Sequence, residues 1–145
     1  MINQFDINPY TKNQLTAYLE SKNINLREGM DNEETNKEIA AILHAGFPKM
    51  VQKIYSLAKF EKFFWEKREL LHQHIANRFT AIDEKAAKKG HAEAQNNLAA
   101  RYATGTGVPR DMAKAKYWYG KAAAQGNKSA AYTLQQLEAL EKNAQ

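Results

Sequence analysis

The chain has 145 residues, no cysteine and a formal net charge of +5. That length allows one compact domain, or a short helical module beside a second one, with enough apolar content to bury a core. The absence of cysteine excludes disulfides, thiolate metal ligands and a thiol nucleophile.

The N-terminus, MINQFDINPY, has no basic segment followed by an apolar run, and nowhere do about eighteen apolar residues follow one another. The expectation is a soluble, cytoplasmic protein with no membrane partner. Charge is unevenly placed: residues 1–47 carry four Lys/Arg against seven Asp/Glu, residues 48–89 ten against five, and residues 90–145 seven against four. Such polarity could steer an acidic polypeptide or a nucleic acid toward the middle and C-terminal parts. An ordinary solvated surface with a lysine excess accounts for it as well.

Ala, Leu, Lys, Glu and Gln dominate and no long apolar/polar alternation occurs, so the class is all-α. Thr11 is placed to cap a first helix carrying Leu15, Tyr18 and Leu19, and the polar stretch from Ser21 to Met30, with Gly29, reads as its exit loop. Asp31 and Glu34 have capping-box spacing for a second helix with a buried stripe of Ile39, Ile42 and Leu43, stopped by Gly46. Pro48 suits the first turn of the next.

From there to Lys89 no glycine or further proline occurs. One helix of that length exceeds the usual limit of about 25 residues, so two are preferred, broken near Lys59 to Phe63 and ended by Gly90. Phe60, Phe64, Leu71, Ile75, Phe79 and Ile82 form the expected buried stripe. Trp65 falls off it, and either packs on a neighbouring element or offers contact surface to a partner.

Shifting the chain by 36 residues against itself lays Lys85, Ala86, Ala87, Gly90, Ala94 and Leu98 on Lys121, Ala122, Ala123, Gly126, Ala130 and Leu134. A period in the thirties made of two helices points to a solenoid. The alanine pair allows close helix approach and the glycine allows a left-handed helix end.

The segment Ala92 to Asn127 resembles one complete Sel1-like repeat, a relative of the tetratricopeptide repeat. The likeness is carried by Ala94, Gln95, Leu98, Tyr102, Gly105, Gly107, Val108, Asp111, Lys114, Ala115, Trp118, Tyr119, Lys121, Ala122, Ala123, Gln125 and Gly126. Ile82 to Gly90 resembles the end of a preceding unit and Lys128 to Leu140 the start of a following one. Ala99 departs from the family's usual glycine, which should push the two helices of the unit slightly apart. Gly120 should weaken the second helix by about 1 kcal/mol relative to alanine.

The resemblance implies a short α-solenoid of antiparallel helix pairs over residues 82–145, with the N-terminal helical region, residues 1–81, packed on it as a cap. Residues 1–80 show no sign of the repeat.

GTGVPRD, residues 105–111, has the glycines of a phosphate loop, but Pro109 removes a donor, no strand precedes it and no Gly-Lys-Ser/Thr follows. As a turn, four of its seven residues have a role. Gly105 ends one helix, Gly107 permits a positive φ, Pro109 sets the entry and Asp111 caps the next helix, leaving Arg110 exposed. His72 and His74, about 200° apart on a helix, cannot share one metal from a single face, and His44 and His91 fall near helix ends. No metal, cofactor or catalytic constellation is expected. Phe60 to Phe79 interleaves aromatics with Lys62, Lys67, Arg68 and Arg78, a pattern that could suit single-stranded nucleic acid, although Glu61, Glu66 and Glu69 offset the cations.

Tetratricopeptide-like stacking puts the first helix of each pair on the inner wall. There Glu93, Asn97 and Arg101 would face a ligand, joined by Tyr132 and Gln136 on the following helix. Residues 1–80 leave room for Trp65 as a further contact. The expected function is a protein–protein interaction module rather than an enzyme: a small bacterial adaptor or immunity protein that binds a specific polypeptide such as a toxin. A nucleic-acid-binding regulator using residues 48–89 and an enzyme of unrecognised type are the alternatives, and homo-oligomerisation is left open.

Overall fold

The computed structural model describes residues 7–144; residues 1–6, part of the segment read for an export signal, and Gln145 lie outside the described residues. Among the described residues there are nine helices and no strand, an all-α fold. The chain divides into two compact units, residues 1–75 and 76–145, and the division falls within the sixth helix.

In the first unit, α1 (Pro9–Lys22) starts two residues before Thr11. Asn8 is the cap, accepting from the Thr11 N–H at 2.8 Å, and Pro9 occupies the first turn. Asn-Pro wins because the proline has no N–H to satisfy and its ring presets the helical φ. Thr11 is instead buried inside the helix. Asn23, left-handed at φ 54°, ends α1.

The expected exit loop holds a further helix, α2 (Leu26–Asp31), opened by a capping box of Asn25 and Glu28. Gly29 is a packing glycine, not a loop one: an added Cβ would sit 2.9 Å from Ile39 Cδ1 and 3.2 Å from Leu19 Cδ2. Asp31 closes this helix, so the cap of α3 (Glu33–Ala45) moves one residue on, to Asn32, which accepts from the N–H groups of Glu34 and Thr35. Thr35 Oγ1 and the buried Asn36 Nδ2 donate to the carbonyls of Gly29 and Met30 at 2.6 and 2.9 Å. These bonds satisfy the end of α2, which is why so short a helix can stop there.

Gly46 ends α3 and Pro48 precedes α4 (Lys49–Ile54). Where two helices were expected, three occur: α4, α5 (Leu57–Glu66) and α6 (Arg68–Lys88), with breaks at Tyr55–Ser56 and at Lys67. Ser56 caps α5 through the Lys59 N–H. At Lys67 the arginine that follows does the work of a cap, since Arg68 Nη1 donates to the Trp65 carbonyl at 2.9 Å.

Leu15, Met30, Ile39, Leu43, Phe60, Phe64, Leu71 and Ile75 are buried. Phe60 stacks edge-on against Phe47 with centroids 5.1 Å apart and lies 5.6 Å from Phe64. Of the expected stripe only Ile82, in the second unit, is half-buried rather than buried.

The second unit holds the rest of α6, then α7 (Ala92–Thr104), α8 (Met112–Ala124) and α9 (Lys128–Ala144). The repeat seen in sequence reappears in the backbone. Gly90 and Gly126 follow α6 and α8 at φ 96° and 93°. Each end is closed by the same bond, His91 N–H to the Ala86 carbonyl and Asn127 N–H to that of Ala122.

Candidate partner-binding surface

Alanine sets the geometry of α7, α8 and α9. Ala99, Ala115, Ala122 and Ala130 are fully buried around Tyr119, and a second cluster joins Ala87, Ala94 and Leu98. Tyr102 and Trp118 pack against both clusters and so tie the layers together. The small alanine side chains at these positions let the helices approach closely, with Tyr119 and Leu98 filling the remaining space.

Two polar devices lock the stack. Buried Gln95 donates to the Ala87 carbonyl at 3.1 Å and accepts from Gln125 Nε2 at 2.8 Å, a chain of amides from the end of α6 through α7 to the end of α8. Arg101 Nε donates to the buried Asp83 carboxylate at 3.0 Å, and its guanidinium carbon lies 5.7 Å from the Phe79 ring centroid.

GTGVPRD spends the amides of Gly105, Thr106 and Asp111 internally. Gly105 and Thr106 N–H groups bond to the Arg101 carbonyl, Asp111 N–H bonds to that of Tyr102, and the Asp111 side chain accepts from Lys114 N–H. Phosphate binding needs those donors converging on an anion. Gly107, at φ 76°, lies against α6, where an added Cβ would come within 2.5 Å of both the Ala76 carbonyl oxygen and Thr80 Oγ1. Arg110 is exposed.

Glu93, Asn97 and Arg101 do share one line of α7, but their environments differ. Glu93 is exposed, Asn97 half-buried, and Arg101 is committed to Asp83. Tyr132 and Gln136 share an exposed line on α9. Trp65, in the first unit, is half-buried with the Arg68 guanidinium 4.0 Å from its ring centroid. In sequence Gln95 and Gln125 stand only as positions of the repeat, because two glutamines 30 residues apart carry no local signal of pairing.

No group of three or more His, Asp and Glu able to hold a metal occurs among the described residues. His44 Nε2 donates to the Tyr55 carbonyl at 2.6 Å. His72 Nδ1 lies 3.2 Å from Arg27 Nη2, and burial, then the Arg27 charge, holds its pKa below the ordinary 6.5. No described helix is long and apolar enough to cross a membrane.

Among known proteins, the Sel1 repeat family model matches residues 92–127, the span of α7, the GTGVPRD turn and α8. No curated protein and no solved structure matches the chain. Sel1 repeats generally mediate protein–protein interaction.

Proposed function

Residues 92–127 being a Sel1 repeat, we propose that the chain works by binding one specific polypeptide, without catalysis or cofactor, as a small adaptor or immunity protein whose partner is a toxin or a similar effector. The observation that supports this reading is the repeat itself, tied by the Gln95–Gln125 amide chain and the Arg101–Asp83 pair into a packed scaffold. What such a scaffold offers is shape and surface, which is the chemistry of recognition rather than of reaction.

The test is affinity capture on the immobilised full chain from a native lysate treated with nuclease, with mass spectrometry of the eluate. One stoichiometric polypeptide, retained at about 0.2 M salt, is expected. Recovery of nucleic acid alone, released steeply by salt, would move the function to residues 48–89 instead.

A further inference from the structure

Eight large apolar side chains are exposed among the described residues, and three of them, Met50, Ile54 and Leu57, fall within eight positions at 75%, 64% and 39% exposure. Scattered singly such residues need no explanation; gathered, they mark an interaction surface. Their setting is unusual. No residue of α4 is buried and Pro48 offers it no side-chain cap, so neither of the usual supports of a short helix is present.

It is fixed by polar anchors instead. Gln52 Nε2 donates to the Phe47 carbonyl at 2.7 Å and to that of Ala45 at 3.3 Å, and His44 holds the Tyr55 carbonyl. The helix is thus a platform held from one side. Met50 and Ile54, four residues apart, form one line on it, and Lys49 and Lys53 form the adjacent line. Leu57 opens α5 within about 11 Å of chain from Ile54, and Lys59 follows it. From Gly46 to Phe60 there are three lysines and no carboxylate.

We propose that this α4–α5 corner is a docking surface for an acidic amphipathic helix of a protein partner, whose apolar stripe covers Met50, Ile54 and Leu57 while flanking carboxylates meet Lys49, Lys53 and Lys59. The proposal rests on the reading of the chain as a protein-binding module, but places the contact outside the Sel1 repeat. The chemistry selects the occupant. Aliphatic side chains give bases nothing to stack on, which disfavours nucleic acid. A six-residue helix buries too little to hold a bilayer surface. A second copy would press the lysine rim against itself. An acidic helix satisfies both the apolar centre and the rim.

The probe is a designed helical peptide of about 18 residues, long enough to hold a helix, bearing a leucine stripe flanked by glutamates, and a twin with lysines in their place. Binding to the full chain is read by calorimetry and by amide chemical shifts. The glutamate peptide should bind at least about 10-fold more tightly than its twin, a difference of about 1.4 kcal/mol. Binding should be lost in the double variant Met50→Ser/Ile54→Ser, with the thermal midpoint unchanged because both side chains are exposed.

Equal binding of the two peptides, or binding that survives the double variant, overturns the proposal. So does adsorption to phosphatidylglycerol vesicles without peptide discrimination, or a dimer in light scattering that the double variant dissolves. If lysate capture yields one polypeptide and the double variant captures it equally, this surface is wrong and the binding function stands. If capture yields none, the binding function fails whatever the peptides do.

Discussion

The two units are built from opposite materials. The first fills its core with Phe47, Phe60, Phe64, Met30 and several leucines and isoleucines, whereas the second packs Ala99, Ala115, Ala122 and Ala130 around Tyr119. The first starts its leading helices with asparagines 8, 25 and 32; the second ends α6, α7 and α8 with glycines 90, 105 and 126 in the left-handed region. Bulky cores tolerate irregular helix lengths because side chains reach across gaps, while an alanine core requires helices to meet at a fixed, short distance. That requirement is what allows one pattern to repeat.

The comparison breaks hardest at the GTGVPRD turn. Gly107→Val forces a β-branched residue to positive φ and drives its Cβ into the Ala76 carbonyl and Thr80 Oγ1. We expect a loss of about 4 kcal/mol or more in chemical denaturation, whereas Arg110→Ala, at an exposed site, should stay within about 0.5 kcal/mol. A well-tolerated valine would mean that the turn does not sit against α6.

The two cores should then fail in opposite ways. Phe64→Ala leaves a cavity in the first unit and should cost about 3–5 kcal/mol. Ala122→Leu overfills the second and should cost about 1–3 kcal/mol by forcing α8 from its neighbours. A destabilising large-to-small change has no counterpart at Ala122, so equal tolerance of leucine there would remove the basis of the contrast.

The same contrast explains what could be read from sequence. Close packing requires small residues at fixed spacing, so Ala94, Ala122, Gly105 and Gly126 announced the helices of the second unit and their ends. In the first unit the boundaries depend on which of several competent caps prevails. Asn8 displaced Thr11 because Pro9 follows it, and Asn32 displaced Asp31 because a helix already ended there. The break at Lys67 rests on Arg68 reaching a carbonyl three residues back, which no propensity encodes. Of the nominated surface, Glu93, Tyr132 and Gln136 are exposed as a helical line suggests, but helical spacing alone could not foresee that Arg101 would find Asp83, 18 residues away.

Arg101→Ala separates scaffold from surface. Asp83 would be left buried without its guanidinium, at a cost of about 3 kcal/mol, whereas replacing both partners with apolar residues of similar size should be nearly neutral. Thermal denaturation of the single and double variants decides it. A single variant of unchanged midpoint would return Arg101 to the set of free contact residues.

Gly120 offers a gain in place of a loss. It lies inside α8 with nothing within 4 Å of an added Cβ, so Gly120→Ala should stabilise the second unit by about 0.5–1 kcal/mol, seen as a rise in denaturation midpoint. No rise would mean that the open face at Gly120 is used by something other than solvent.

The smallest effect belongs to the first unit and depends on pH. His72 is desolvated and lies beside Arg27, and both influences, only partly offset by Glu69 and Asp31, favour its neutral form. In the unfolded chain it takes up a proton near its ordinary 6.5; in the folded chain it does so at lower pH. As pH falls through 6.5 the unfolded state therefore binds the proton first, and stability declines until the folded-state pKa is passed. His72→Gln should flatten that decline in denaturation midpoints while leaving stability above pH 7 nearly unchanged. An undiminished slope would assign the acid sensitivity of this unit to other groups and leave the Arg27–His72 contact without energetic consequence.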